Sequence, residues 1–281
     1  MAAAEGYALL DFGDGRRLET WGPYRLDRPD PTATGRRVDA KLWLTADATY
    51  RGEKGKGQWD ARRALPEFWP VAFDDLRLAV RLAPYKHTGV FPEQLENWRW
   101  ARAMGRKAGR PLTVLNLFAY TGGATIALAK DGHHVTHVDA AKPSITWAKQ
   151  NAALNGVAAD RTRWILDDAA EFAAREVRRG KTYDGIILDP PAFGHSPTGK
   201  AWRVERDLPP LLSACARLLS DRPAFVILNA YARGDTPATV RAIMADALRG
   251  RRAKVDAAEL ELSTAGGRSL STGVVARCGL S

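Results

Sequence analysis

Four short runs place reactive or binding side chains just past apolar, strand-like segments. The first, Phe118-Ala119-Tyr120-Thr121-Gly122-Gly123-Ala124, follows Leu112-Thr-Val-Leu-Asn-Leu and precedes an apolar helical pattern. Adjacent glycines let a backbone approach a ligand, and a helix N-terminus behind them offers N–H groups to a carboxylate or phosphate. The run is not G-x-G-x-x-G, which weighs against a dinucleotide. The second is Asp139, 17 residues beyond Gly122, where a carboxylate can accept both hydroxyls of a ribose. Ala140 beside it is small enough to suit the edge of a base. The third, Asp167-Asp168, opens a helix, and Asp168 reads equally as an acceptor for an adenine amine or as a plain N-cap. The fourth is Asp189-Pro190-Pro191-Ala192-Phe193. Two prolines fix an extended turn whose carbonyls cannot join a sheet and are expected to face the cleft. Beside Asp189 they make a rigid acceptor for an amine or amide of a planar base, with Phe193 available to stack on it. Together the four runs describe an adenosine site with a carboxylate-bearing arm, next to a turn that aligns a second base.

The elements that must position these residues alternate. Strand-like 112–118, 134–139, 163–166, 183–188 and 224–229 are each followed by a helical pattern, at 123–131, 142–155, 168–179, 205–219 and 236–249. That alternation predicts an α/β fold with a doubly wound, mostly parallel sheet, and ligands in such sheets lie beyond the carboxyl ends of the strands. The tail, 259–263 and 271–277 around Gly266-Gly267, predicts a closing antiparallel hairpin. Upstream, 7–11, 17–21, 24–26, 41–45 and 76–82 read as short strands, with a glycine-rich loop at 52–57. A helix is expected over 92–106, closing near Gly105 or Gly109. The expected organisation is a small β-rich N-terminal domain, 1–85, and an α/β domain, 86–281. Counting the 92–106 helix, the N-terminal part holds six of the nine tryptophans, which read mainly as core filling.

The runs VLNLFAYTGGAT, HVDAAKPSITWAKQNAALNG, RWILDDAAEF and YDGIILDPPAF resemble the class I S-adenosylmethionine-dependent methyltransferases, with a Rossmann-like fold. The nearest branch is the bacterial 23S ribosomal RNA methyltransferases with a D-P-P-x-F motif. Lys86-His-Thr-Gly-Val-Phe-Pro-Glu-Gln94 is similar to that branch's K-T-G-x-F-x-x-Q loop, which covers the cofactor. The resemblance implies Phe118, Ala119, Tyr120, Thr121 and Gly122 at the methionine side, Asp139 and Ala140 at the ribose and adenine edge, and Asp168 with Ala169 at adenine. It also implies Thr88, Phe91 and Gln94 at the cofactor, and Asp189, Pro190, Pro191 and Phe193 at the reacting base. Members that methylate cytosine at C5 carry a cysteine just after the fifth strand, because that ring carbon becomes nucleophilic only after thiolate addition at C6. Here the position reads Asn229-Ala-Tyr-Ala232.

The two cysteines do not replace it. Cys215 lies in a 208–219 pattern of leucines at helical spacing, and Cys278 ends the last strand, so both are expected in the core. Direct displacement onto a base nitrogen of ribosomal RNA is therefore the leading expectation. The alternatives are a small-molecule methyltransferase on the same scaffold, a C5-cytosine enzyme with a displaced cysteine, and a noncatalytic RNA-binding protein. The net charge of +10 favours a polyanionic partner and is spread evenly, with 20 basic and 15 acidic residues in 1–110 and 22 and 17 after it. Local basic concentrations lie at 51–63 and 241–254. Gly194-His-Ser-Pro-Thr-Gly-Lys-Ala201 only imitates a P-loop, since Ala201 stands where a Mg²⁺-holding hydroxyl belongs. It reads instead as a surface loop in which His195 and Lys200, with Asn229, are candidate substrate contacts. His133, His134 and His137 lack ligand-spaced partners, so no metal is expected. A cytoplasmic location without membrane partners is expected, and either a monomer or a homo-oligomer is compatible with the composition.

Overall fold

A computed structural model describes residues 5–53, 56–84, 86–195, 201–232, 234–251 and 253–280. The chain forms two compact units, one of Met1–Glu93 with Glu261–Thr272 and one of Gln94–Leu260 with Gly273–Ser281. The division differs from a single cut at residue 85, because the turn end of the closing hairpin joins the N-terminal unit.

In the first unit, β1 (Tyr7–Gly13), β2 (Arg16–Trp21), β3 (Tyr24–Pro29), β4 (Ala48–Glu53) and β5 (Lys56–Ala61) form one sheet in chain order. Asp14 and Gly15 turn β1 into β2 with φ of 55° and 72°, the left-handed pair that matches strand twist in a tight hairpin. β6 (Trp69–Phe73) and β7 (Leu76–Val80) pair separately. Residues 41–45 are not a strand. Asp39 accepts from Lys41 N and Leu42 N and starts a short helix, α1 (Ala40–Trp43), and four residues are too few to separate the two periodicities. Of the expected loop at 52–57, Gly52 and Glu53 pair with Gly57 and Lys56 as the ends of β4 and β5, while 54 and 55 lie outside the described residues. Trp21, Trp43 and Trp69 are buried. Glu19, fully buried, is held by Arg28 Nε at 2.5 Å, Arg17 Nε at 3.2 Å and the Tyr7 hydroxyl at 2.9 Å. A buried carboxylate survives on such pairing, and the arginines keep it ionised below the ordinary carboxylate range despite burial.

The second unit opens with α2 (Leu95–Ala108), which ends at Gly109 with φ 64°. There follow β8 (Thr113–Leu117), α3 (Gly123–Lys130), β9 (His134–Asp139), α4 (Lys142–Leu154), β10 (Thr162–Leu166), α5 (Ala169–Arg178) and β11 (Gly185–Leu188). After these come β12 (Phe193–His195), β13 (Ala201–Arg203), α6 (Val204–Leu218), β14 (Phe225–Ala230), α7 (Pro237–Ala247), β15 (Ala253–Ser263) and β16 (Ser269–Leu280). The sheet order is β10-β9-β8-β11-β14-β16-β15. β10, β9, β8, β11 and β14 are parallel and β16 runs antiparallel to β14, giving the Rossmann-like, mostly parallel fold. β11 and β14 are buried along their whole length, as central parallel strands must be when both faces are covered. Phe172, Leu212 and Met244 of α5, α6 and α7 pack into one core cluster, and Ala101 and Leu128 of α2 and α3 into another. Strand order reverses between β8 and β11, so the crevice past their carboxyl ends is where a ligand site belongs.

Candidate active site

The loop leaving β8 is strained. Phe118 and Tyr120 hold φ of 57° and 48°, and Gly122 holds 89°. Non-glycine residues seldom adopt left-handed backbone without a local reason. Part of the reason is Asp139 at the end of β9, whose Oδ2 accepts from Tyr120 N at 2.8 Å and whose Oδ1 accepts from Ala141 N at 2.8 Å. Each oxygen has a second lone pair for another donor. Burial nevertheless raises the Asp139 carboxyl above the ordinary aspartate value, although both N–H bonds pull it down. Gly122 is the N-cap of α3 and no side chain caps the helix, so its first N–H groups keep their capacity for an anion. The two glycines have different duties. A Cβ on Gly123 would lie 2.2 Å from the Trp98 indole, so this glycine makes room for α2 rather than for a ligand, and Gly122 supplies the turn.

Beside this loop, Asp168 caps α5 through Oδ1, which accepts from Ala170 N at 2.9 Å and Glu171 N at 3.0 Å. Its capping reading is thus realised. The Ala169 side chain packs in the core with Phe172, leaving only its backbone to meet a ligand. Asp167 Oδ1 accepts from Asp168 N at 2.9 Å, and Oδ2 pairs with Arg175. Ala140 is half-buried, next to Asp139. Under the loop, His137 is fully buried: Asn116 donates to Thr125 Oγ1 at 2.9 Å, and that hydroxyl is hydrogen-bonded to His137 Nδ1 at 2.9 Å. Desolvation holds this imidazole neutral, pushed down to about 3.

Across the switch point, Asp189 N donates to Leu117 O at 3.4 Å, which sets the Asp-Pro-Pro turn against the end of β8. The Pro191 carbonyl does not face the cleft as expected. It accepts from Trp202 Nε1 at 2.8 Å, and the Trp202 ring lies 5.0 Å from that of Phe118, tying the turn to the β8 loop. Pro190 is buried, and Phe193 is 56% exposed at the start of β12. His195 closes that strand, while Lys200 and the rest of 196–200 lie outside the described residues.

Behind Asp189 stands a buried polar chain that no single motif reveals. Tyr231 Oη donates to Asp189 Oδ1 at 2.8 Å and receives Gln94 Nε2 at 2.6 Å. Gln94 Oε1 accepts from Asn97 Nδ2 at 2.8 Å and Asn229 Nδ2 at 3.2 Å. Asn229, expected to touch substrate, is 1% exposed and spends its amide on Gln94 and Asn97, so it is an internal support. Gln94 is likewise engaged at both amide atoms rather than presented to a cofactor. A Cβ on Gly273 would strike the Tyr231 ring at 2.6 Å, so this glycine keeps room for the tyrosine. Tyr231 and Trp202 carry weak sequence signals: one sits where a cysteine is sought, the other beyond a loop read for its charges.

In the first unit, Thr88 is fully buried and its hydroxyl has no partner among the described residues, and Phe91 lies 5.4 Å from the His87 ring. Cys215 and Cys278 are buried, and desolvation pushes their thiols up to about 12 and about 11. Neither is a thiolate at neutral pH. No helix among the described residues is long and apolar enough to cross a membrane.

The site as built has an uncapped helix N-terminus, a strained loop and a half-buried carboxylate with spare lone pairs. These fit the carboxylate arm and ribose of an adenosine-type cofactor. Comparison with known proteins agrees. The family model of S-adenosylmethionine-dependent methyltransferases matches residues 32–235. A SAM-dependent methyltransferase from Agrobacterium tumefaciens is 39% identical, with a TM-score of 0.94 over 98% of this chain and 90% of that one. A protein of Streptococcus mutans assigned to the SAM-dependent methyltransferases shares the fold at 18% identity, with a TM-score of 0.78 over 99% of this chain and 76% of that one. The tRNA (uracil-54, C5)-methyltransferase of Pyrococcus abyssi, in complex with S-adenosyl-L-homocysteine, shares it at 17% identity, with a TM-score of 0.58 over 95% and 60%. The chain belongs to the S-adenosylmethionine-dependent methyltransferases, and S-adenosylmethionine is its cofactor.

Proposed function

We propose that this methyltransferase acts on ribosomal RNA, at a base nitrogen, by direct displacement without a cysteine adduct. The carrying observation is the placement of Asp189: its backbone is bonded to the last residue of β8, and its carboxylate is oriented by Tyr231 beside the strained loop. In this reading the loop 118–122 and the N-terminus of α3 hold the methionine carboxylate. Asp139 accepts from the ribose hydroxyls, and Ala140, Asp168 and the backbone of Ala169 border adenine. When bound, S-adenosylmethionine supplies a sulfonium methyl group that passes to the nitrogen lone pair as the carbon–sulfur bond breaks, its electron pair staying on sulfur. Asp189 aligns the nitrogen through its N–H and accepts the proton released. Rigid alignment contributes most of the rate, so no stronger base is required. Two further features support the reading. Phe193 is open enough to meet a base presented on a large substrate, and the buried, protonated thiols disfavour the covalent route to carbon. The +10 charge favours RNA over a small neutral substrate.

The test is transfer of a labelled methyl group from S-adenosylmethionine to unmodified ribosomal RNA transcripts, compared with a low-molecular-weight cell extract. Label in RNA, recovered in an N-methylated nucleoside, is the expected result. Label confined to the extract would replace RNA with a small-molecule substrate.

A further inference from the structure

The polar chain behind Asp189 has a direction. Arg277 on β16 carries donors only, and its Nε and Nη2 reach Asn97 Oδ1 at 2.8 and 2.5 Å. Asn97 must therefore turn its NH₂ the other way, where it donates to Gln94 Oε1 at 2.8 Å and Asn229 Oδ1 at 2.9 Å. Asn229 adds a second donor to Gln94 Oε1 at 3.2 Å. With its oxygen so engaged, Gln94 can only donate at its far end, and it does so to Tyr231 Oη at 2.6 Å. A phenol oxygen that receives this bond has one hydrogen to give, and it gives it to Asp189 Oδ1 at 2.8 Å. Gln94, Asn97 and Asn229 are 5%, 2% and 1% exposed, so water does not compete to rotate their amides. Flipping Asn97 would set N–H against N–H at Arg277, and flipping Gln94 would do so at Asn97 and Asn229.

We infer that Tyr231 is a positioning residue, held as a one-way donor by Arg277 through Asn97, Gln94 and Asn229, that fixes Asp189 as an acceptor and so selects a substrate nitrogen bearing hydrogen. The inference rests on the proposed alignment of the target nitrogen by Asp189. An exocyclic amine offers the carboxylate an N–H. A ring nitrogen with only a lone pair, such as N7 of guanine, meets it with like charge density.

Four proteins test this: the wild type, Asp189→Asn, Tyr231→Phe and Gln94→Glu, with kcat and KM on unmodified ribosomal RNA transcripts, S-adenosylhomocysteine affinity and thermal melting measured for each. In Gln94→Glu the carboxylate introduced at this position can only accept from the tyrosine and would draw its hydrogen away from Asp189. Both Tyr231→Phe and Gln94→Glu are expected to lower kcat about ten- to a hundredfold, the value of a hydrogen bond to a charged group, with KM and cofactor affinity unchanged. The product is expected to carry the methyl group on an exocyclic amine. Loss of transfer in Asp189→Asn with wild-type kcat in the other two overturns the positioning role while the reading of Asp189 stands. Full activity in Asp189→Asn overturns both. N7-methylguanine as product overturns the selection for hydrogen. Should Tyr231→Phe fail to fold, Gln94→Glu carries the same comparison.

Discussion

Replacing Asp139 by alanine separates ligand binding from folding. The carboxylate takes Tyr120 N and Ala141 N, each at 2.8 Å, and on the proposed reading two ribose hydroxyls on its remaining lone pairs. Hydrogen bonds to a charged group are worth about 1.5–3 kcal/mol each, so two ribose bonds represent about 3–6 kcal/mol before losses. Part is offset because hydroxyls leave water and because alanine relieves a carboxylate that burial already destabilises. A net loss of about 2–4 kcal/mol corresponds to roughly 30- to 1,000-fold weaker binding. Folding loses two N–H bonds to the carboxylate, about 1.5–3 kcal/mol each, and regains the cost of burying the charge, so the melting temperature falls by less than those bonds alone would imply. Titration calorimetry with S-adenosylhomocysteine, alongside calorimetric melting, reads both quantities. Unchanged affinity would refute the ribose role, and a collapse in stability would make Asp139 structural. The pH dependence follows in sign. Since the folded carboxyl titrates above its unfolded value, the folded state binds the extra proton, and this group favours folding most below the ordinary aspartate pKa and less as pH rises through the raised value. Cofactor binding, which needs the ionised form, is expected to weaken on acidification at a higher pH than an exposed aspartate would allow.

Cys215→Ser and Cys278→Ser are each expected to lose about 1–3 kcal/mol of stability, from a buried hydroxyl, and to keep their turnover; loss of transfer in a folded variant would restore a thiol to the mechanism. Gly123→Ala places a methyl group 2.2 Å from Trp98 and should destabilise by about 1–3 kcal/mol in thermal melting, with Trp98→Leu recovering part of it. Recovery in the double variant is the observation to seek, since independent effects would instead add. Binding of ribosomal RNA should weaken with salt, log affinity falling by about 0.7–0.9 per decade for every phosphate neutralised. A flat response would remove RNA as the partner.

What is legible in the sequence is whatever short-range spacing determines. The alternation of strands and helices locates the crevice, and Asp139, Gly122 and Asp189 fall at its edge because each lies at or soon after the carboxyl end of a strand. Residues 41–45 mislead because a short apolar alternation fits one helical turn as well as a strand, and the Asp39 cap decides it. The second glycine of the pair reads as a ligand contact because its true neighbour, Trp98, lies on another helix. The same cause hides the chain behind Asp189. Tyr231 is 42 residues from Asp189 and 137 from Gln94, and Arg277 is 180 from Asn97, separations at which no local pattern reports contact. Asn229 then looks available for substrate because its partners are out of sight of any local pattern.

Nitrogen methylation by direct displacement is tested with ribosomal RNA transcripts carrying tritium at C5 of cytidine, methylated with S-adenosylmethionine bearing a carbon-labelled methyl group. Carbon label in an N-methylated nucleoside, with all tritium retained in the RNA, is the expected result. Tritium released to water in step with 5-methylcytidine would contradict it, because losing that hydrogen requires the covalent route through a thiol.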